Sequence, residues 1–220
     1  MHDNQDRLVG PLRCGWLAHP RRTPSAARVR AWLGTALQVP AGDLVLSRDA
    51  HCRPQLGGAQ AAFDANWSHS GDHLLVVLGS DVQVGVDLEH VRPRPHALDL
   101  ARRYYAPEEA DWVAGLAGEG RERAFLRLWC AKEALLKAHG RGLAFGLHRL
   151  RFIDSPGGLS LVDCDPRLGR PADWQVRELS PGTGYIAAAA WRPLRRDSGP
   201  RAATGTGAAV GGVAGRGQRP

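Results

Sequence analysis

Long apolar runs are missing from this 220-residue chain. None approaches the ~20 residues that a helix needs to cross a bilayer, so no membrane partner is expected. Metal-type cysteine spacing is missing as well. Cys14, Cys52, Cys130 and Cys164 form no CxxC and no Cys/His pair at ligand distance, which argues against a zinc module or a dithiol redox site. No secretory signal precedes them, and they read as reduced thiols of a cytoplasmic protein. A Walker-type Gly-rich phosphate loop is absent. So is a basic stripe interleaved with aromatics, and nucleic acid is not an expected partner. Methionine occurs once, at position 1, while Arg, Ala and Gly abound, which looks like coding bias rather than function.

What is present is a net charge of +7, unevenly spread. Beyond Leu194, Arg195, Arg196, Arg201, Arg216 and Arg219 face Asp197 alone. Residues 195–220 are otherwise mostly Gly and Ala without periodicity and with almost no large apolar residue, a composition that cannot offset its ordering entropy, and they are predicted to be a disordered basic tail. The moderately basic body suits an anionic small ligand or an acidic protein partner.

The body is organised around a helix predicted from about Arg121 to His139. Ala124, Leu128, Ala131, Leu135 and Ala138 alternate by four and three as a core-facing stripe. Gly140 and Gly142 follow as stop signals. Glu133 and Lys137, four apart, share a face directed away from that stripe. By itself this is what a surface ion pair on an amphipathic helix looks like.

A second acidic pair lies upstream. Val82 to Glu89 is predicted as a strand, with Val82, Val84, Val86 and Leu88 on the core face. Gln83, Gly85, Asp87 and Glu89 lie on the other. Two carboxylates at i and i+2 either face water or share a cation. Gly85 on that face admits a close neighbour.

Elsewhere, residues 1–11 are expected to fray, and Leu12 to Ala18 to form a strand. Ser25 to Val39 reads as a helix, Leu44 to Ser47 as a short strand, and Arg48 to Ala65 as loop. Leu74 to Leu78 is an apolar strand, followed by a hairpin turn at Gly79-Ser80-Asp81. Leu98 to Tyr105 and Pro107 to Leu116 read as helices. Leu147 to Ile153, Leu159 to Val162, Trp174 to Leu179 and Tyr185 to Trp191 read as strands. The order implies an α+β protein of two similar halves, residues 1–90 and 91–194, ahead of the 195–220 tail.

Three stretches now stand in order: Asn66-Trp67-Ser68-His69-Ser70, Gly85-Val86-Asp87-Leu88-Glu89, and Trp129-Cys130-Ala131-Lys132-Glu133 with Lys137. Together they resemble the Sfp-type, pseudo-dimeric class of 4′-phosphopantetheinyl transferases, whose signatures are N-x-S-H-S, G-[IV]-D-x-E and W-x-x-K-E-x-x-x-K. Arg103-Tyr104-Tyr105-Ala106-Pro107-Glu108-Glu109 and Arg53-Pro54 are similar to two further elements of the family.

The resemblance implies a fold of two subdomains related by a pseudo-two-fold axis, with coenzyme A in the cleft and no oligomer required. It implies a reaction as well. Coenzyme A gives its phosphopantetheine arm to a serine of an acyl or peptidyl carrier protein, 3′,5′-ADP leaves, and Mg²⁺ is required. Asp87, Glu89 and Glu133 would be the metal ligands. Lys137 would stabilise phosphate charge, and Glu133 is also the candidate base. Ser68 and His69 would contact the pyrophosphate and the 3′-phosphate, and Arg53 the nucleotide end. The segment before Ser25 is shorter than in the family, which leaves Arg21, Arg22 or Arg28 to meet the 3′-phosphate. Two rival readings are a Mg²⁺-dependent nucleotide phosphohydrolase and a basic protein that binds nucleic acid through its tail.

Overall fold

The computed structural model describes residues 5–20 and 22–194. The tail predicted at 195–220 and Arg21 lie outside the described residues. The fold is α+β.

The first sheet contains β1 (Gln5–Val9), β2 (Leu12–Ala18), β5 (Phe63–Ser70) and β6 (His73–Ser80) in the antiparallel order β1-β2-β6-β5. Residues 5–9, expected to fray, are instead held as β1 by pairing with β2. Hydrophobicity alone does not reveal this strand, because Asp6, Arg7 and Leu8 are all exposed and no buried apolar alternation marks it. The short hairpin β3 (Leu46–Arg48) and β4 (Pro54–Leu56) falls mostly in the stretch read as loop, and the first three residues of β5 also lie in that stretch.

The second sheet orders β10 (Gln175–Leu179), β11 (Tyr185–Pro193) and β7 (Val82–His90). The predicted hairpin at Gly79-Ser80-Asp81 therefore does not form. β6 pairs with β2 and β5, whereas β7 leaves that sheet and pairs with β11 along its full length. A strand before residue 90 is thus built into a sheet with two strands from after it.

The layers follow from side-chain periodicity. One face of β6 (Leu75, Val77) and β2 (Leu12, Cys14) packs on Val82, Val84, Val86 and Leu88 of β7 and on Ala187 and Ala189 of β11. The outer face of the first sheet (Leu74, Val76, Leu78, Ala65) is covered by α1 (Ala26–Leu37) through Val29, Trp32 and Leu33. The outer face of the second sheet (Ile186, Ala188, Ala190) is covered by α4 (Gly118–His139).

α4 is buried on almost every side from Cys130 to Leu136. Behind it stand α2 (Ala97–Tyr104), α3 (Pro107–Ala114) and the hairpin of β8 (Leu150–Ser155) and β9 (Gly158–Cys164). Its stripe is internal as predicted, but so is the face opposite, as expected of a helix enclosed by a domain. Gly85 makes the contact with β7 possible. A Cβ there would stand 2.1 Å from Ala134 O and 2.3 Å from Ala138 N.

Candidate active site

β5 and β7 are the edges of two different sheets, and their meeting builds the site. The β7 amides that turn away from β11 need acceptors, and side chains of β5 supply them. Val84 N donates to Asp64 Oδ2 (2.7 Å), Val86 N to Asn66 Oδ1 (3.2 Å) and His90 N to Ser70 Oγ (3.0 Å). Alternate residues of the Asn66–Ser70 motif therefore fasten one sheet to the other. The period of two among Asp64, Asn66, Ser68 and Ser70 was the available sequence signal for this polar seam. Asp64 and Ser70 were not singled out from it.

At the seam's centre, Ser68 Oγ donates to Asp87 Oδ1 (2.9 Å). Lys137 Nζ, reaching across from α4, donates to the same carboxylate oxygen (2.6 Å) and to Ser68 Oγ (3.1 Å). Asp87 Oδ2 is buried and has no hydrogen-bond partner among the described residues. Glu89 Oε2 accepts from Arg94 Nη2 (2.9 Å) and Ser70 Oγ (3.3 Å). Glu133, one turn before Lys137, is only 7% exposed.

The electrostatics are those of crowded like charges. Burial pushes Glu133 up to about 7; Asp87 and Glu89 push the same way, and Lys137 opposes them. Glu89 is also raised, by burial and then by Asp87, against Arg94. Beneath them the Cys130 thiol is driven well above its ordinary value by burial, Asp87 and Glu89, so it remains a thiol. The described cysteines are all free.

Among the described residues, no group of three or more His, Cys, Asp or Glu side chains is gathered as a ready metal cage. The donor set nevertheless fits a hard divalent cation. It offers carboxylate oxygens, one of them buried without a partner, and two acids whose charged forms are disfavoured until a cation arrives.

Two cavities meet this cluster. One, of 190 Å³, includes Lys137 and runs past Asn66, Trp67, Gly140 and Gly142 to Arg48 and His51. The other, of 750 Å³, includes Glu89 and Arg94 and is walled by Tyr104, Phe125, Trp129 and Leu147. Trp129 is half-buried and lines the second.

The remaining predicted residues sit elsewhere. His69 is exposed, with its ring 5.5 Å from that of His19 in an edge-to-face contact. Arg22 is exposed at φ 65°. Arg28 donates to Ala18 O (2.8 Å). Arg53 lines the smaller cavity, but its guanidinium turns inward. Lys132, adjacent to Glu133, points the other way. Its Nζ lies 2.7 Å from Glu109 Oε2 and donates to the carbonyls of Leu147 and Leu150. Glu109 in turn accepts from Ala106 N and Phe152 N. Lys132 and Glu109 are thus a buried structural pair, not part of the carboxylate cluster.

The sequence profile of the 4′-phosphopantetheinyl transferase superfamily matches residues 83–190, which carry Asp87, Glu89, Glu133 and Lys137. The 4′-phosphopantetheinyl transferase HetI of Nostoc sp. is 31% identical over 199 residues, covering 86% of this chain and 81% of that protein. The chain belongs to the 4′-phosphopantetheinyl transferase superfamily. It is similar also to the transferase AcpT of Salmonella typhimurium, 32% identical over 154 residues, covering 65% of this chain and 74% of that protein. A candidate 4′-phosphopantetheinyl transferase of Synechocystis sp. is 45% identical over 85 residues, covering 39% of this chain and 35% of that protein. Membership makes the protein an enzyme, and the crowded acids at the seam its candidate 4′-phosphopantetheinyl transferase centre.

Proposed function

We propose that this enzyme transfers the 4′-phosphopantetheine group of coenzyme A to a serine of an acyl or peptidyl carrier protein, with Mg²⁺ held by Asp87, Glu89 and Glu133. The observation that carries this reading is the placement of the acids between two unlike cavities. The donor has two unlike ends: a charged nucleotide and a long, weakly polar pantetheine arm. The smaller cavity offers Arg48, His51, Trp67 and Lys137 to a nucleotide. The larger offers Tyr104, Phe125, Trp129 and Leu147 to the arm, under Arg94. The bond to be broken, in the pyrophosphate between those ends, falls at the carboxylates.

Bound Mg²⁺ would neutralise pyrophosphate charge and so ease departure of the nucleotide. The protein's own groups do the rest. Lys137, held by Asp87 and Ser68, presents its ammonium to a phosphate oxygen. Glu133 takes the proton as the carrier serine oxygen bonds to phosphorus. The P–O bond to 3′,5′-ADP breaks and the nucleotide leaves with the electron pair. In the metal-free protein burial and Asp87 raise that carboxyl to about 7, so it is a stronger base than an ordinary acid side chain. His69, exposed and edge-to-face with His19, and the exposed Arg22 are offered to the 3′-phosphate, with Arg21 adjacent in sequence.

No helix among the described residues is long and apolar enough to cross a membrane. The free thiols fit a cytoplasmic protein, and a monomer is proposed because one chain carries Asp87, Glu89, Glu133 and Lys137. The test incubates the protein with coenzyme A, Mg²⁺ and a panel of apo-carrier proteins, then weighs each carrier intact. A phosphopantetheine mass increase that needs all three components supports the reading. Hydrolysis of coenzyme A with no carrier modified would replace it with a phosphohydrolase.

A further inference from the structure

Arg53 was expected at the nucleotide end, and it does border the basic cavity. Its donors point away from that space. Nε donates to Lys137 O and Ala138 O, both at 3.1 Å. Nη1 donates to Pro54 O (3.2 Å) and Asp64 Oδ1 (2.8 Å). Nη2 donates to Asp64 Oδ2 and to Val84 O (2.9 Å). A guanidinium has five N–H donors in a fixed fork, and all five are engaged here. The Arg53 and Asp64 side chains are each 9% exposed.

The partners matter more than their number. Lys137 O and Ala138 O end α4, Asp64 belongs to β5, and Val84 O belongs to β7. Asp64 also accepts from Val84 N. One guanidinium therefore joins the three elements that carry Lys137, Ser68 and Asp87. Gly140 makes room: a Cβ there would lie 3.2 Å from Arg53 Cδ, and its φ of 89° suits glycine.

We propose that Arg53, locked to Asp64, is a positioning residue that sets Lys137 of α4 against Asp87 and Ser68 and makes no contact with the donor substrate. The mechanism is geometric. A lysine at position 53 would keep the charge, but one ammonium cannot hold a carboxylate side-on while capping two carbonyls of a helix end. Without the fork, the last turn of α4 loses its register to β7, and Lys137 loses the 2.6 Å contact that places it. A small displacement of such a group is costly to rate and nearly neutral to ground-state binding.

The inference rests on the transferase reading, and its test separates the two. Arg53→Lys, Asp64→Asn and the double variant are assayed with coenzyme A and with dephospho-coenzyme A, alongside thermal melts. Each single variant is expected to lower kcat by about tenfold or more with either donor, while KM for coenzyme A moves by less than about threefold. The double variant should be no worse than the poorer single one, because both remove one interaction. Should Asp64→Asn melt below the assay temperature, Arg53→Lys alone decides.

A tenfold rise in the coenzyme A KM of Arg53→Lys, with a narrowed gap between the two donors and an intact kcat, would overturn the proposal and make Arg53 a phosphate contact. Calorimetric titration of both donors gives the answer independently of catalysis. If wild type modifies no carrier, the transferase reading fails. Equal donor discrimination in wild type and Arg53→Lys would still sustain the claim that Arg53 does not touch the donor, and lost discrimination would overturn it.

Discussion

Lys137 Nζ stands 2.6 Å from Asp87 Oδ1, on the carboxylate that a divalent cation would have to share. The lysine is 27% exposed and the aspartate 7%, so the pair joins a solvent-reachable ammonium to a buried anion. In the metal-free enzyme, Lys137 does part of the work of the missing cation. Lys137→Ala should therefore lower carrier modification by on the order of a hundredfold through loss of phosphate stabilisation. It should also lower the metal-free melting temperature, since it leaves Asp87 facing Glu89 and Glu133 with less compensation. Apparent Mg²⁺ affinity should hold or tighten, because a competitor for Asp87 is gone. Melts with and without Mg²⁺ read this directly, and a weakened metal response would show that Lys137 assists the metal rather than substituting for it.

Much of that cluster is legible in the sequence. Asp87 and Glu89 alternate with aliphatic residues, Glu133 and Lys137 are one helical turn apart, and both spacings fix the face each side chain occupies. What spacing leaves open is which partner a face meets. The loss of β7 from its neighbour β6 to β11 depends on contacts a hundred residues away, and a local turn signal at Gly79-Ser80-Asp81 carries none of that information. β1 was missed because a half-exposed edge strand has little apolar periodicity to show. Arg53 was placed by resemblance at the ligand, yet its direction is set by Asp64, β7 and the end of α4, which only the fold brings together.

Consecutive residues of α4 should behave in opposite ways. Lys132 is enclosed against Glu109, under the rings of Tyr105 and Phe152, and burial lowers it to about 8 with Glu109 opposing. Glu109→Ala would leave that ammonium without its carboxylate and Phe152 N without its acceptor. It should cost about 3–5 kcal/mol of stability. Glu133→Ala removes a crowded acid instead, and should leave the metal-free fold as stable or more so while abolishing transfer. Denaturant unfolding of the two variants gives the comparison. Similar losses in both would contradict the division of roles.

Gly85→Ala tests the contact that brings the two carboxylate-bearing elements together. The added methyl would meet Ala134 O and Ala138 N, which are helix backbone and cannot swing aside. α4 must lift from β7, at a cost of about 1–3 kcal/mol or more. Since Asp87 lies two residues along the strand and Lys137 beside Ala138, activity should fall more steeply than stability. A variant that melts lower yet transfers normally would mean that the spacing of helix and strand is not critical to the site.

Glu133 makes a pH prediction whose sign is opposite to that of an ordinary salt-bridged acid. Its carboxyl is raised from 4.5 to about 7 in the folded protein, by burial first and then by Asp87 and Glu89. Between those values the native state holds a proton that the unfolded chain has released, so the slope of stability against pH is negative there. The metal-free enzyme should lose stability from this group as pH rises from 4.5 to 7, by on the order of 3 kcal/mol at most. His19 and His139, both lowered chiefly by burial, act with the other sign, so the raw curve is a sum. Subtracting the curve of Glu133→Gln isolates the acid, and the difference should fall through that window and level off above it. Saturating Mg²⁺ should erase the fall, since the cation favours the ionised carboxylate. A wild-type curve parallel to that of Glu133→Gln from pH 4.5 to 7.5, with or without Mg²⁺, would mean that Glu133 ionises like a solvent-exposed acid and is neither crowded nor poised as a base.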